Sequence, residues 1–208
     1  MSKRISLTAH AHSIILQYLT EGDFAIDATV GNGHDTLFLA RQVGIKGKVF
    51  GFDIQQQAIE ATQTKLETEE NAENTRLFFH SHNRMDQCIP IEYQGHIKVI
   101  MFNLGYLPGS DKSIITQTDS TLAALKHSLN LLAKSGIITI AAYPGHTGGM
   151  AETNAVDQWL KQLPPQHSVQ SLYSSDKESA PRLYIVKKNK LASPSPKIPF
   201  SEIPKSNL

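Results

Sequence analysis

The sequence predicts an α/β fold: a seven-stranded, mostly parallel sheet with an antiparallel edge hairpin and helices on both faces. Three observations predict it. Short apolar runs alternate with longer stretches of helical periodicity, the order expected when each strand is followed by a crossover helix. The run Val99-Ile100-Met101-Phe102 is continuously apolar, as in a strand buried on both faces. The last two apolar runs are separated only by Ser174 to Pro181, which is too short for a crossover and favours a hairpin.

Taken in order, Ile5 to Leu19 reads as an amphipathic helix with Ile14, Ile15, Tyr18 and Leu19 on one face. Phe24 to Val30 is the first strand, and Asp35 to Val43 the helix after it, with Leu37, Phe38 and Ala40 toward the sheet. Lys48 to Phe52 is the second strand and Gln55 to Glu69 the second crossover helix. Arg76 to His80 and Ile97 to Asn103 are the third and fourth strands. Ser113 to Ala133 contains a long helix, and Gly136 to Tyr143 is the fifth strand. A helix covers Met150 to Leu163. Ser168 to Tyr173 and Arg182 to Lys187 close the sheet. Residues 1–188 are thus expected to form one domain. The remainder, 189–208, is rich in Lys, Ser and Pro and poor in large apolar residues, so a flexible tail is expected there.

Composition narrows the function classes. A chain of 208 residues with 40% hydrophobic content suits one globular domain. The net charge of +1 neither supports nor excludes a nucleic-acid partner, because a local basic patch can hide in a balanced total. Arg41, Lys46, Lys48, Arg84, Lys112 and Lys126 are scattered along the chain. Cys88 is the only cysteine, which excludes an intramolecular disulfide and leaves a Cys-based zinc site short of ligands. The start lacks the long apolar core of a signal peptide, and no run of about 18 apolar residues suggests a membrane span. A soluble cytoplasmic protein is expected.

The segment that carries most chemistry is Asp27-Ala28-Thr29-Val30-Gly31-Asn32-Gly33-His34-Asp35-Thr36, between a strand and a helix. Glycines there let the backbone turn tightly and approach a ligand. In open α/β sheets, ligands bind at the carboxyl ends of strands. A second acid, Asp53, ends the next strand, where a carboxylate can accept hydrogen bonds from both ribose hydroxyls of a nucleoside. A dinucleotide site wants G-x-G-x-x-G, but the third position is Thr36. Asp35 would also repel a pyrophosphate. S-adenosylmethionine (SAM) carries no phosphate and has a cationic sulfonium and amine. The spacing Asp27-x-x-x-Gly31-x-Gly33, with Asp53 on the next strand, therefore fits a SAM site, and the fold becomes a Rossmann-like class I SAM-methyltransferase fold.

The motifs Asp27 to Thr36, Phe52-Asp53-Ile54-Gln55 and Phe102-Asn103-Leu104-Gly105-Tyr106-Leu107-Pro108-Gly109, with Tyr143-Pro144-Gly145-His146-Thr147-Gly148-Gly149, resemble the YtqB-type rRNA methylases. The resemblance spans about residues 6–188. It implies a class I fold, SAM as cofactor, and cofactor contacts on Asn32, His34, Asp53, Gln55, Ser81 and His82. It further implies methylation of the aminomethyl group on wobble 5-aminomethyl-2-thiouridine of tRNA, with the anticodon region as partner, and a homodimer as the assembly.

Methyl transfer from SAM is an in-line displacement, so catalysis is largely positioning of the nucleophile. An amine nucleophile must be neutral, and its site should favour proton loss. Many nitrogen methyltransferases carry an Asn/Asp-Pro-Pro-Tyr loop after the fourth strand, where the Asn carbonyl holds the target nitrogen and the aromatic stacks on the base. By analogy Asn103 positions the amine and Tyr106 stacks on the base or shapes the pocket. Leu104 and Gly105 stand where that loop has its prolines. Asp111 and Lys112 read either as substrate contacts or as solvated turn residues. His146 reads either as a proton acceptor or RNA-channel residue, or as a loop cap.

His10-x-His12 and His80-x-His82 raise a metal hypothesis, since on a strand His80 and His82 would point the same way. No further ligand completes a site, and none is expected. No G-x-S-x-G elbow supports a serine hydrolase. Three alternatives stay in view: an rRNA methyltransferase, a small-molecule methyltransferase, and a non-catalytic RNA-binding protein of the same fold.

Overall fold

Ser6 opens the first helix. Its hydroxyl accepts the Ala9 N–H at 3.1 Å, and α1 runs Leu7–Ile15. The helix is shorter than the expected Ile5 to Leu19, because the chain breaks into turns after Ile15 while Leu19 still packs into the core. The computed structural model describes residues 6–69, 71–105 and 115–189. From α1 the order is β1 (Phe24–Asp27), α2 (His34–Val43), β2 (Lys48–Asp53), α3 (Gln56–Thr68), β3 (Thr75–Phe79), a short α4 (Met85–Cys88), β4 (Ile97–Asn103), α5 (Thr118–Leu131), β5 (Leu132–Ala142), α6 (Gly149–Lys161), β6 (His167–Tyr173) and β7 (Arg182–Lys188).

The strands form a seven-stranded sheet in the order β3-β2-β1-β4-β5-β7-β6. The strands from β1 to β5 pair parallel, whereas β7 lies antiparallel to both β5 and β6. This is the expected class I architecture with its edge hairpin. Alternate residues of β4 feed two cores. Ile100 and Phe102 join Met85, Leu125 and Trp159 on one face, while Val99 and Met101 join Ile15, Leu39 and Leu66 on the other. Helices α1 to α3 therefore cover one face and α4 to α6 the other. Strand order reverses between β1 and β4, and such a switch point opens a crevice at the carboxyl ends.

Several further boundaries differ from expectation. The fifth strand starts at Leu132 rather than Gly136, because Ile97 pairs with Leu132 and Val99 with Ile137. The extra residues are taken up as a bulge in which Ser135 adopts a φ of 64°. The helix expected within Ser113 to Ala133 starts at Thr118 and ends at Leu131, with residues 113 and 114 outside the described ones. The third strand ends at Phe79, and Ser81 caps a 3-10 turn, His82–Arg84. His80 and His82 therefore do not share a strand face, which removes the geometric basis of the metal hypothesis. Of the expected tail, Asn189 donates its N–H to the Gln166 carbonyl at 2.8 Å, and residues 190–208 lie outside the described residues. No helix among the described residues is long and apolar enough to cross a membrane.

Candidate functional site

The loop between β1 and α2 turns on two glycines with left-handed φ, 54° at Gly31 and 72° at Gly33. At Gly33 a side chain is also excluded by contact, since a Cβ would lie 2.5 Å from Thr62 Oγ1. Thr62, buried on α3, donates its hydroxyl to the Gly31 carbonyl at 3.3 Å and so holds the loop from beneath. The sequence reading missed it, because a threonine in a largely polar helix carries no signal of which way it faces.

Asp27 and Gly33, both expected at the cofactor, do not line the crevice. Asp27 is fully buried and accepts the Thr36 hydroxyl at 2.6 Å and the Thr29 N–H at 3.1 Å. Burial, then the nearby Asp35 charge, pushes its carboxyl up to about 7. Its work is to shape the loop from behind. Asp53 lies in the wall. Its Oδ2 accepts the Gly31 N–H at 2.9 Å and its Oδ1 accepts the Gln55 N–H at 2.9 Å. Both oxygens are fixed in place while each retains a lone pair for a ligand hydroxyl.

Asp35 stands in the first turn of α2, 9% exposed. His12 Nε2–H donates to its Oδ1 at 2.6 Å, and Asn103 Nδ2–H donates to its Oδ2 at 2.6 Å. A carboxylate only accepts, so Asn103 must turn its amide nitrogen toward Asp35 and its carbonyl oxygen away. The Asn103 backbone N–H donates to Thr29 Oγ1 at 2.8 Å, which fixes the end of β4 against the loop.

His82 is 7% exposed and donates Nδ1–H to the Ala28 carbonyl at 3.1 Å. Burial lowers its pKa, so the ring is neutral and Nε2 is a bare acceptor, which has no partner among the described residues. An unpartnered buried acceptor suits a ligand N–H donor. Ser81, Asn32, His34 and Gln55 complete this end of the wall. Lys65 reaches over from α3, donating to the Asn32 carbonyl at 2.7 Å and approaching His34 Nδ1 at 3.1 Å.

The crevice holds about 860 Å³, room for a ligand of nucleoside size and part of a second molecule. Its far side is formed by Thr8, Gly105, Thr116, Tyr143 and His146. Burial pushes the Tyr143 phenol up, while the nearby Thr8 side chain acts in the opposite direction. His146 Nδ1–H donates to the Thr147 carbonyl at 2.9 Å, so one ring nitrogen is used within its own loop. Tyr106, Asp111 and Lys112 lie outside the described residues. Of the scattered basic residues, Arg41 pairs with Glu69, Lys46 with Glu21 at 3.4 Å, and Lys48 donates to the Glu73 carbonyl at 3.0 Å. Among the described residues no cluster of His, Cys, Asp or Glu could hold a metal ion.

Taken together, the wall offers fixed carboxylates at Asp35 and Asp53, a bare imidazole nitrogen, and one outward amide oxygen. This suits a nucleoside bearing a cationic group, with a second, hydrogen-donating reactant at Asn103. A family model described as "Putative rRNA methylase" matches residues 49–188. A putative rRNA-methylase from Clostridium thermocellum is 38% identical, with a TM-score of 0.82 over 88% of this chain and 97% of its own. A putative methyltransferase from Streptococcus mutans in complex with SAH is 34% identical, with a TM-score of 0.77 over 90% of this chain and 99% of its own. Among curated proteins, the chloroplastic tRNA (mnm(5)s(2)U34)-methyltransferase of Arabidopsis thaliana is 39% identical over 169 residues, 77% of this chain. The match spans 61% of that relative's length.

Proposed function

The chain belongs to the family described as "Putative rRNA methylase", and on that premise we propose that it is a SAM-dependent methyltransferase that N-methylates the 5-aminomethyl group of wobble 5-aminomethyl-2-thiouridine in tRNA. The name of the Arabidopsis relative supports the tRNA substrate, and the SAH held by the Streptococcus relative supports the cofactor. The residues present fit SAM. Asp53 takes the ribose hydroxyls, and the unpartnered His82 Nε2 takes a hydrogen from the adenine end beside Ser81. Asp35, not a basic residue, stands where a phosphate-binding site would be cationic. Bound SAM supplies an electrophilic methyl group.

The observation that carries the amine reading is the orientation of Asn103. With its nitrogen held by Asp35, its carbonyl oxygen is left to accept an N–H of the substrate amine. That bond aims the amine, and the carbonyl, being neutral, does not favour the protonated form as a carboxylate would. Tyr106 is assigned to stacking on the base. The catalytic domain is assigned to residues 1–188. The RNA partner is the anticodon region of tRNA, and the assembly a homodimer.

The test is methyl transfer by the purified protein from SAM to tRNA bearing 5-aminomethyl-2-thiouridine at position 34, read by nucleoside mass spectrometry. The expected product is the methylaminomethyl nucleoside. An unmodified tRNA, with methyl groups appearing instead in ribosomal RNA offered in parallel, would replace this substrate with the one that the family description names.

A further inference from the structure

We infer that His12 is a positioning residue for methyl transfer, acting through Asp35 to hold the Asn103 amide with its carbonyl oxygen toward the acceptor. This rests on the amine-acceptor reading above. The chain of contacts joins three elements that are remote in sequence. His12 comes from α1, Asp35 from the first turn of α2, and Asn103 from the end of β4. Both links measure 2.6 Å, slightly under the about 2.7–2.9 Å usual for N–H donors on an ionised carboxylate. The imidazole is itself fixed, stacked on Phe38 with ring centroids 3.7 Å apart and planes within 6°.

The need for His12 follows from what else Asp35 could do. The first N–H groups of a helix lack intrahelical acceptors, and a carboxylate in the first turn is drawn to them. In α2 the cap residue is Gly33, which has no side chain to occupy them. An Asp35 carboxylate free to rotate would be drawn to its own helix terminus and release Asn103. The hydrogen bond from His12 to Oδ1 fixes the plane of the carboxylate, so that Oδ2 stays on Asn103 Nδ2. The Thr29 hydroxyl holds the Asn103 backbone but not its side chain. The amide rotamer therefore depends on Asp35, and the carboxylate rotamer on His12. Outer residues that orient a reacting group in this way commonly change its efficiency without touching the ligand.

The experiment compares the full chain with its His12→Leu and His12→Gln variants. Glutamine keeps an N–H donor near the place of Nε2, whereas leucine keeps only apolar bulk against Phe38. On tRNA carrying 5-aminomethyl-2-thiouridine, kcat of His12→Leu is expected to fall about 10- to 100-fold. KM for tRNA is expected to stay within about twofold, and SAM affinity by calorimetry to fall much less than kcat, because Asp35 keeps its charge at the crevice wall. His12→Gln should recover most of the rate. A wild-type kcat in His12→Leu, or a loss of SAM affinity as large as the loss of rate, would overturn the assignment.

A second measurement needs no acceptor. By NMR, the Asn103 side-chain amide protons should be protected from exchange in the wild type and in His12→Gln, and unprotected in His12→Leu. Equal protection in all three overturns the inference even if His12→Leu is too unstable for kinetics. If the wild type methylates no tRNA while the amide responds as expected, the substrate reading fails and the positioning chain stands.

Discussion

Asp53 Oδ2 accepts the Gly31 N–H at 2.9 Å, so the end of β2 holds the loop that follows β1. The other oxygen, Oδ1, holds the Gln55 N–H at 2.9 Å. One side chain thereby joins the two segments that form the nucleoside end of the crevice.

Removing that carboxylate should cost both the preformed loop and the ribose contacts. Hydrogen bonds to a charged group contribute about 1.5–3 kcal/mol each, so Asp53→Ala is expected to weaken SAM binding by at least about 10-fold. Asp53→Asn should fall between, because its amide nitrogen faces one of the two backbone N–H donors. Calorimetric titration with SAM checks the order, and a Kd for Asp53→Ala equal to that of the wild type would remove Asp53 from the site.

Asp27 makes a pH prediction. Its carboxyl is raised from 3.8 to about 7, mainly by burial. Between these values the folded protein keeps a proton that the unfolded chain has lost. This contribution to stability therefore falls as pH rises through that window and levels off above it. Asp27→Asn mimics the protonated acid, accepting the Thr29 N–H and donating to the Thr36 hydroxyl. Relative to the wild type it should gain stability between about pH 4 and about pH 7, then hold that difference. Urea unfolding across the range reads it; a difference that does not change with pH would mean that Asp27 is ionised throughout.

The contrast between these two acids shows what the sequence makes legible. Strand order, the glycine loop and Asp53 are written in local runs: an apolar strand, a turn of glycines, an acid at the next strand's end. Asp27 looks similar to Asp53 on those terms, since both end a strand beside the loop. Only the packing shows that one lies in the wall and the other points beneath it at Thr36. Thr62, and the part played by His12, could not be found that way, because their partners Gly31 and Asp35 lie 31 and 23 residues distant. The early start of β5 was hidden for a related reason, since the bulge at Ser135 interrupts the two-residue period that marks a strand.

Gly33→Ala should destabilise the fold more than an ordinary loop substitution. A left-handed φ costs about 1–2 kcal/mol for a residue with a Cβ. The added methyl also meets Thr62 Oγ1 at 2.5 Å. Pairing it with Thr62→Ala should recover only part of the steric cost, because Thr62 Cβ would still lie 2.9 Å from the methyl, and it leaves the backbone cost and a loop without its support at Gly31. Unfolding of the single and double variants reads the share due to the Thr62 hydroxyl and methyl; no recovery in the double variant would mean that the backbone cost and the remaining Cβ contact dominate.

Glu152 is the last test, and it reports on the far side of the crevice. The residue is 3% exposed in the first turn of α6. Its oxygens accept the Thr121 hydroxyl at 2.6 Å and the Thr116 hydroxyl at 2.7 Å. Thr116 Oγ1 in turn accepts the Gly105 N–H at 2.8 Å, and the Thr116 N–H donates to the Gly105 carbonyl at 2.8 Å. Gly105 and Thr116 both line the crevice, so α6 sets the spacing of its rim. Glu152→Ala leaves the two hydroxyls without their acceptor and should cost about 3 kcal/mol or more. Glu152→Gln keeps one acceptor and should cost less, while still disturbing one link to the rim. Because Asp53 and His82 lie at the opposite end of the wall, SAM affinity of Glu152→Gln should stay near wild type while methyl transfer falls. Urea unfolding, calorimetry and turnover on one preparation test all three expectations. A parallel loss of SAM affinity would mean that the two ends of the crevice are coupled through the sheet rather than held separately by these side chains.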